Sequence, residues 1–573
     1  MSSIIAGKKL ADEVLSRIDY DAIIETARYF GTLNRQTGTP DAETAAAYII
    51  DKMKVAGVEV GADTPTCLAS IPDPTTLHVK ALGESYEIEC TTEVWSEDGA
   101  DVEGEVVFDE ASLREGELTL KEEYDRYEGL AGKVVITYAG NPTFFSKCRQ
   151  IGVKGIICVR FREDAKSASL YGSTRVWGVP TLDTLPYFDQ CPTIVLTRQE
   201  GDRIIELVKG GGKVEVSFKT AARNGLYTFT QPYACISGAE SENYLLVCTH
   251  YDGWYRSVID NALADGFMLE LLRVLHDLQP KLKRGIKVVW LAGHENVPYA
   301  GSTYYVDKYF QDLADRCIAY VNIDVIGGKF PKENVWMNTT RMEGGFGDDI
   351  IEEVNGARPD GYIPMVRMAD QSLWGVEVPL DLMINGGDPG WWYHSAEDTI
   401  DCMDRDILKR DIEFYVNLLM RIANSEHLPV DMNCFIGESR KYLHDLDVSC
   451  GDDFDFAPAY QALDGIEAKV SALVAAMDAH PDRDRDATYK KVAGELSRIC
   501  YTGSDNYCQP LLPDRAMLQP TGGMTFVEGV TEDNAYPVEY LCVKTEFLRL
   551  RNRFVGELAR LGERIDLLMG EWR

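Results

Sequence analysis

Three near-continuous apolar runs between residues 244 and 323 constrain the fold of this chain most strongly. They are Tyr244–Cys248, Ile286–Leu291 and Ile318–Ile323. Such runs predict strands buried on both faces of a largely parallel sheet, because helices cover both sides of parallel sheets. Between the first two runs, apolar residues recur at helical spacing, as a crossover helix requires. These residues are Leu263, Phe267, Leu271, Val274 and Leu278. The predicted fold class is therefore α/β, with a mixed, largely parallel central sheet flanked by helices.

The rest of the sequence divides around this sheet. The 573 residues are enough for roughly three or four structural units. We assign residues 1–94 to the N-terminal part of the domain that contains this sheet, residues 226–428 to its sheet core and residues 429–573 to a helical C-terminal module. Residues 95–225 alternate short apolar strands with helical stretches, which is typical of a separate α/β insert.

Two amphipathic helices are predicted in the C-terminal module. One apolar stripe runs from Leu463 to Met477 and the other from Phe547 to Leu568. Periodicity does not distinguish a stripe that packs inside the monomer from one that forms a dimer surface. Core packing and a homodimer interface both remain open.

Charge and composition exclude several classes of partner. The 58 Lys+Arg against 92 Asp+Glu give a net charge of −34, which repels phosphate backbones and anionic membranes. No stretch approaches the ~20 apolar residues of a membrane span, and the N-terminus lacks the apolar segment of a signal peptide. The 14 cysteines include no Cys-x-x-Cys pair, which favours reduced thiols. We expect a soluble, cytoplasmic protein that binds neither nucleic acid nor membranes.

Potential metal ligands follow each of the three apolar runs. Because ligands bind outside the carboxyl ends of the strands in open α/β sheets, these side chains should converge at one edge. A further imidazole follows two tryptophans later in the chain. The candidate set is His250, Asp260, Glu295, Asp324 and His394. Each residue alone fits a surface or capping role, but together they predict a metal centre.

The chemistry of this set indicates two divalent metal ions. Mixed imidazole and carboxylate donors suit zinc, with manganese or cobalt as competitors. A catalytic zinc usually takes three protein ligands, so five donors are more than one ion needs. Two ions about 3.5 to 4 Å apart, bridged by a carboxylate, would use all five and would promote hydrolysis of an acyl or phosphoryl bond.

These residues and their order resemble the co-catalytic zinc exopeptidases, a family that includes bacterial aminopeptidases, glutamate carboxypeptidase and the transferrin receptor. In that family, the region matching residues 95–225 is a protease-associated domain, and a helical module follows the catalytic core. The motifs that carry the resemblance are Gly38-Thr39-Pro40, His250-x-Asp252, Ile259-Asp260-Asn261, His294-Glu295, Ala300-Gly301-Ser302, Asn322-x-Asp324 and Tyr393-His394-Ser395.

The resemblance implies a role for each donor. One metal would be held by His250 and Asp324, the other by Glu295 and His394, and Asp260 would bridge both. Asp252, two residues from His250, would orient a ligand or raise its basicity.

One position departs from the family pattern. The family has two adjacent glutamates after the second strand, a general base and then a ligand, whereas this chain has His294-Glu295. A neutral histidine can also accept and deliver a proton. We therefore interpret His294 as the general base, with a non-catalytic filler as the alternative.

Three further residues are candidates for substrate binding. Tyr393 adjoins the ligand His394, and its alternative role is core packing. Asp370 falls where relatives carry a substrate-side segment, although Gln371 replaces a histidine there. Arg256 lies between the first two ligands and is suited to bind a substrate carboxylate, unless it is simply an exposed loop residue.

The sequence thus predicts a two-metal hydrolase that cleaves an amide or peptide bond of small peptides or amino-acid conjugates with metal-activated water. An aminopeptidase-like exopeptidase is the favoured form. The alternatives are a non-catalytic, receptor-like or scaffold-like relative and a hydrolase of a non-peptide amide, because His294 stands at the base position.

Overall fold

The computed structural model describes residues 2–572, with short gaps at 115, 161, 163–164, 173, 189–190, 279–281, 298, 331–334, 341, 366–368, 386–388, 505–507 and 513–519. The helices of the described residues are α1 Ser2–Leu15, α2 Tyr20–Phe30, α3 Pro40–Val55, α4 Leu120–Leu130, α5 Pro142–Ile151, α6 Arg198–Lys209, α7 Ala262–Leu278, α8 Ala300–Arg316, α9 Phe346–Asn355, α10 Arg405–Asn424, α11 Met432–Cys450, α12 Ala457–Asp478, α13 Asp486–Tyr501 and α14 Pro537–Trp572. The strands are β1 Val60–Asp63, β2 Thr66–Pro72, β3 Pro74–Ala81, β4 Glu84–Thr92, β5 Asp101–Phe108, β6 Val134–Thr137, β7 Gly155–Val159, β8 Thr193–Leu196, β9 Val214–Lys219, β10 Ala222–Thr228, β11 Gln231–Ile236, β12 Tyr244–His250, β13 Gly285–Leu291, β14 Cys317–Asn322, β15 Trp336–Thr339, β16 Gly361–Ile363 and β17 Leu380–Asn385.

An eight-stranded mixed sheet forms the centre of the molecule, in the order β1-β11-β13-β12-β14-β17-β15-β16. The predicted apolar runs correspond to β12, β13 and β14, which pair in parallel at the middle of the sheet. Apart from Lys287, every residue of these three strands is buried. The predicted α/β class with a largely parallel core is confirmed.

Helices cover this sheet as the apolar runs require. The predicted crossover helix is α7, which connects β12 to β13 and packs against α2. At the N-terminus of α3, the Thr39 hydroxyl accepts a hydrogen bond from the Ala42 amide, and Pro40 occupies the first turn. Both features favour a helix start at this point, because a side-chain oxygen satisfies an amide that has no partner within the helix.

The insert is built on a closed seven-stranded barrel in the order β3-β4-β8-β7-β6-β5-β9. Two strands of this barrel, β3 and β4, precede residue 95, and the division of the chain into domains remains a prediction. Their alternating burial reflects pairing at the antiparallel side of the barrel, a weaker sequence signal than the continuous apolar runs of β6, β7 and β8. Assignment of the insert to the protease-associated domains remains a prediction.

Within the described residues, the C-terminal module contains four α-helices, α11 to α14. Helix α12 packs along α14, and α11 packs against α12 and α13. The predicted stripe residues from Leu463 to Met477 are buried inside the chain, and so are most of those from Phe547 to Leu568. The periodicity therefore reports core packing within the monomer, and a homodimer remains a prediction. None of the helices in the described part of the chain combines the length and hydrophobicity of a membrane-spanning segment.

A buried ion pair joins the C-terminal module to the sheet. The Arg284 guanidinium, directly before β13, donates two hydrogen bonds to the Asp486 carboxylate on α13, at 2.6 and 2.8 Å. Its Nη1 donates to the carbonyls of Ile422 and Ser425. Both charged side chains are inaccessible to solvent, so removing one partner leaves an uncompensated buried charge.

We expect the Asp486→Ala variant to lose about 3 to 5 kcal/mol of stability, the usual cost of breaking a buried pair. Urea denaturation followed by circular dichroism measures the loss as a lower midpoint. The control is Asp566→Ala, which breaks an exposed ion pair with Lys469 and should cost less than about 1 kcal/mol. Equal midpoints for the two variants would contradict this role of Arg284.

Burial of Lys490 makes the stability of the protein change with pH in the alkaline range. Burial lowers the pKa of this side chain to about 8, and its ammonium group donates to the carbonyl of Glu377 at 2.9 Å. The unfolded chain therefore binds this proton more strongly than the folded chain between pH 8 and the ordinary lysine value near 10.5. Since stability rises with pH wherever the unfolded state binds more protons, this contribution increases across that window.

We expect Lys490→Met to stabilise the protein relative to wild type at pH 7 and to lose that advantage as pH approaches 10.5. Burying the charge costs about 3 kcal/mol at neutral pH, and the methionine avoids this cost. Urea midpoints of both proteins at several pH values between 7 and 10 measure the effect. A difference between the two midpoints that does not change with pH would contradict it.

Candidate metal centre

The parallel register of the three central strands brings the predicted ligands together. His250 ends β12 and lies opposite Leu291, the last residue of β13. On the other side, Cys248 of β12 lies opposite Asn322, the last residue of β14. This register places the residues that follow β13 and β14 beside His250 at the carboxyl edge of the sheet.

Asp260 lies between two imidazoles. Its Oδ1 is 3.1 Å from Nε2 of His250, and its Oδ2 is 3.2 Å from Nε2 of His394. The other two carboxylates each accompany one imidazole: Asp324 Oδ1 is 3.2 Å from His250 Nε2, and Glu295 Oε2 is 3.6 Å from His394 Nε2. All five residues are buried. The structure therefore brings the whole predicted ligand set into one cluster. One half surrounds His250, the other surrounds His394, and Asp260 lies between them.

The donor atoms fit divalent metal ions. Two ligands bound tetrahedrally at about 2.0 to 2.1 Å from zinc lie about 3.3 Å apart, close to the separations in this cluster. Asp260 Oδ2, Glu295 Oε1 and His394 Nε2 are buried and have no hydrogen-bond partner among the described residues. Since an unpaired buried polar atom costs about 1 to 3 kcal/mol, these atoms are suited to a cation that satisfies them.

The electrostatics of the cluster also favour cations. Burial raises the pKa of Glu295 well above its usual range, and the Asp260 charge raises it further. Burial alone would also raise the pKa of Asp260, but the neighbouring imidazoles of His250 and His394 lower it. Buried carboxylates are costly unless positive charge compensates them, and three acids share two imidazoles in this cluster.

Asp252 holds the turn that carries His294 and Glu295. Its Oδ2 accepts hydrogen bonds from the backbone amides of both residues at 3.1 Å and from the Thr37 hydroxyl at 2.9 Å. The backbone carbonyl of Asp252 lies 3.1 Å from Nδ1 of His250. A proton on Nδ1 directed at this carbonyl leaves Nε2 free to bind a metal.

Two supporting groups were not found from the sequence. Asp398 accepts hydrogen bonds from the amides of Ile259 and Asp260 at 2.9 and 3.0 Å. Burial and the Asp260 charge raise the pKa of Asp398 to about 7. The carbonyl of Leu170, in the insert, lies 2.7 Å from His394 Nδ1. Leu170 acts through its backbone, so its side chain gives no sequence signal, and Asp398 follows no strand that would mark it.

His294 stands beside the cluster. Its ring is parallel to that of His250, with centroids 3.8 Å apart and 5° between the planes. One ring nitrogen lies within 4.8 Å of donor atoms of His250 and Asp324, so His294 is also a potential metal ligand. A metal bound by imidazole lies in the ring plane about 2.0 to 2.1 Å from nitrogen, and two parallel rings at this separation do not both aim at one ion. The stacking therefore favours a role for His294 other than coordination.

The candidate substrate-binding residues differ in their surroundings. The Tyr393 ring is half-buried and stacks on His394, with centroids 3.8 Å apart. Asp370 is fully buried, with Oδ2 2.8 Å from His294 Nδ1, so it contacts the candidate base. Arg256 is exposed, and no hydrogen bond or ion pair among the described residues joins it to the cluster.

The insert also lines this region. The Tyr171 ring lies 4.7 Å from the His394 ring, and the Trp177 ring lies 4.0 Å from that of Tyr299. Tyr299 in turn places its ring against the edge of His294. The cluster is thus enclosed by side chains from both the insert and the sheet core.

Two curated proteins are similar to parts of this chain. Aminopeptidase NAALADL1 of Mus musculus is 31% identical over 124 residues, which cover 20% of this chain and 16% of that protein. A probable glutamate carboxypeptidase, VP8 of Zea mays, is 24% identical over 270 residues, 41% of this chain and 36% of that protein. The chain therefore spans less than half the length of either relative.

Two solved structures share the fold over a larger part of the chain. An aminopeptidase from Aneurinibacillus sp. strain AM-1 superimposes with a TM-score of 0.54 at 19% identity, covering 72% of this chain and 96% of that one. A zinc aminopeptidase from Bacillus subtilis gives 0.52 at 16% identity, covering 73% and 96%.

The family match coincides with the central part of the catalytic core. The sequence profile of peptidase family M28 matches residues 233–418, a range that contains all five clustered donors. The chain therefore contains a domain of peptidase family M28.

Proposed function

We propose that this protein is a two-metal hydrolase that cleaves an amide or peptide bond of small peptides or amino-acid conjugates, as an aminopeptidase-like exopeptidase. The position of Asp260 is the observation that carries the proposal, because its two oxygens face the imidazoles of His250 and His394. His250 and Asp324 would hold one ion, Glu295 and His394 the other, and Asp260 would contact both. The nitrogen and oxygen donors favour zinc, and one solved structure with this fold is a zinc aminopeptidase.

When bound, the ions would polarise the amide carbonyl and lower the pKa of the attacking water. The protein supplies the proton transfers. His294 would accept a proton from the water and deliver it to the leaving nitrogen, as a positioned histidine commonly does. Asp252 would keep His294 and Glu295 in place, since its carboxylate binds both of their amides.

Contacts of the C-terminal module beside the site favour small substrates. The C-terminal module reaches the insert beside the site, where Leu512 and Arg175 exchange hydrogen bonds at 2.8 and 2.9 Å. Gln509 of the same module donates to the carbonyl of Ser372 at 2.9 Å. These contacts lie near Asp370 and Trp177, so they restrict access for folded proteins more than for short peptides.

We expect Glu295→Ala and His294→Ala to separate metal binding from proton transfer. Glu295→Ala should keep about one zinc per chain and lose nearly all activity, because a ligand is missing. His294→Ala should keep two zinc ions and lose about 10²- to 10⁴-fold in kcat, the usual contribution of a general base. Metal analysis and hydrolysis of aminoacyl anilides measure both effects on the same preparations.

The matched control is His444→Ala, which removes an exposed histidine of α11 and should retain both ions and the full rate. A wild-type protein without metal would support a receptor-like or scaffold-like relative. Equal activity in wild type, Glu295→Ala and His294→Ala would contradict the assignment of the site.

A substrate panel tests the reaction class. We expect release of single residues from the end of peptides of a few residues, because the insert and the C-terminal module cover the cleft. Mass spectrometry of products from dipeptides, longer peptides, amino-acid amides and a denatured protein measures this. Cleavage deep within the long chain would contradict the exopeptidase proposal, and hydrolysis of non-peptide amides alone would favour the other amidohydrolase class.

A further inference from the structure

A second buried carboxylate contacts the histidine at the base position. Asp370 Oδ2 lies 2.8 Å from Nδ1 of His294, and Asp370 is fully buried. We propose that Asp370 is a positioning residue that fixes the tautomer and ring orientation of His294. The inference rests on the proposed function in that it takes His294 as the general base.

The chemistry of the pair determines which nitrogen remains available. An ionised carboxylate only accepts hydrogen bonds, so the His294 nitrogen that faces Asp370 carries the proton. In the neutral imidazole the other nitrogen, Nε2, then holds the free lone pair. A general base needs such a lone pair, and Asp370 therefore selects Nε2 as the nitrogen that accepts a proton.

Ring packing alone does not make this selection. The His250 ring lies flat against His294, and Tyr299 meets it edge to face at 84°. These contacts fix the plane of the imidazole. A rotation of the ring by half a turn exchanges Nδ1 with a carbon but preserves the plane, so the hydrogen bond to Asp370 is what distinguishes the two orientations.

The backbone of Asp370 is itself anchored. Its carbonyl accepts hydrogen bonds from the Tyr320 hydroxyl at 3.1 Å and from the Ser372 amide at 2.8 Å. Tyr320 belongs to the central strand β14, which also leads to the ligand Asp324. The backbone that carries the carboxylate is thus anchored to the strand that leads to Asp324, and a precise positioning role requires such an anchor.

The test is Asp370→Asn in the zinc-loaded full-length protein. An asparagine amide can donate to Nδ1 and so favour the opposite tautomer, and the corresponding change in a Ser-His-Asp triad lowers kcat roughly 10⁴-fold. We expect kcat to fall about 10²- to 10⁴-fold, with KM and zinc content unchanged. The control is Asp411→Asn, another buried aspartate, whose partners are Arg410 and the Gly327 amide. It should retain wild-type kcat.

A double variant tests whether Asp370 acts through His294. If it does, Asp370→Asn has no further effect in the His294→Ala background, because contributions of residues that act as a unit are not additive. Independent losses that multiply would overturn the proposal.

A spectroscopic readout separates this inference from the proposed function. In protein labelled with ring-¹⁵N histidine, the His294 signals are those that His294→Ala removes. We expect a protonated Nδ1 and an unprotonated Nε2 in wild type, and loss of that pattern in Asp370→Asn. An unchanged tautomer, or loss of zinc together with activity in Asp370→Asn, would overturn the positioning role. A wild-type protein inert toward every substrate would refute the proposed function, while the tautomer would still decide the role of Asp370.

Discussion

The candidate site depends on one buried carboxylate shared between two imidazoles. Asp260 places one oxygen near His250 and the other near His394, and thereby connects donors that come from opposite ends of the domain sequence. Buried acids at such close quarters are unfavourable without compensating positive charge. The surrounding structure supports this arrangement, with Asp398 binding the Asp260 amide and the Asp252 carbonyl orienting His250.

Hydrogen bonds link the three parts of the chain near this cluster. The sheet core provides the candidate ligands, the insert provides the Leu170 carbonyl that contacts His394, and the C-terminal module reaches the insert through Leu512. The Arg284–Asp486 pair ties the same module to the sheet. A perturbation in the insert or the module can therefore reach the site through backbone contacts, without any change in a ligand.

In the proposed mechanism, His294 changes the chemistry available for proton transfer. A glutamate there can use either carboxylate oxygen, whereas a neutral histidine has one basic nitrogen, and the group that binds the other nitrogen selects it. Asp370 is in place to make that selection, and the parallel stack with His250 keeps the ring in a fixed plane. A histidine in this role needs a hydrogen-bond partner for its other nitrogen, and Asp370 is that partner.

The sequence determined the core of the fold and the membership of the cluster. The runs Tyr244–Cys248, Ile286–Leu291 and Ile318–Ile323 were sufficient for the core because continuous burial leaves a continuous apolar signal. All the candidate ligands except His394 lie in the segments that follow these runs. Only the tertiary structure decided the start of the barrel at β3, the burial of the C-terminal stripes inside the chain and the contacts of Leu170, Asp370 and Asp398. These features depend on strand pairing, on packing between distant helices and on backbone hydrogen bonds, none of which leaves a local pattern in the order of side chains.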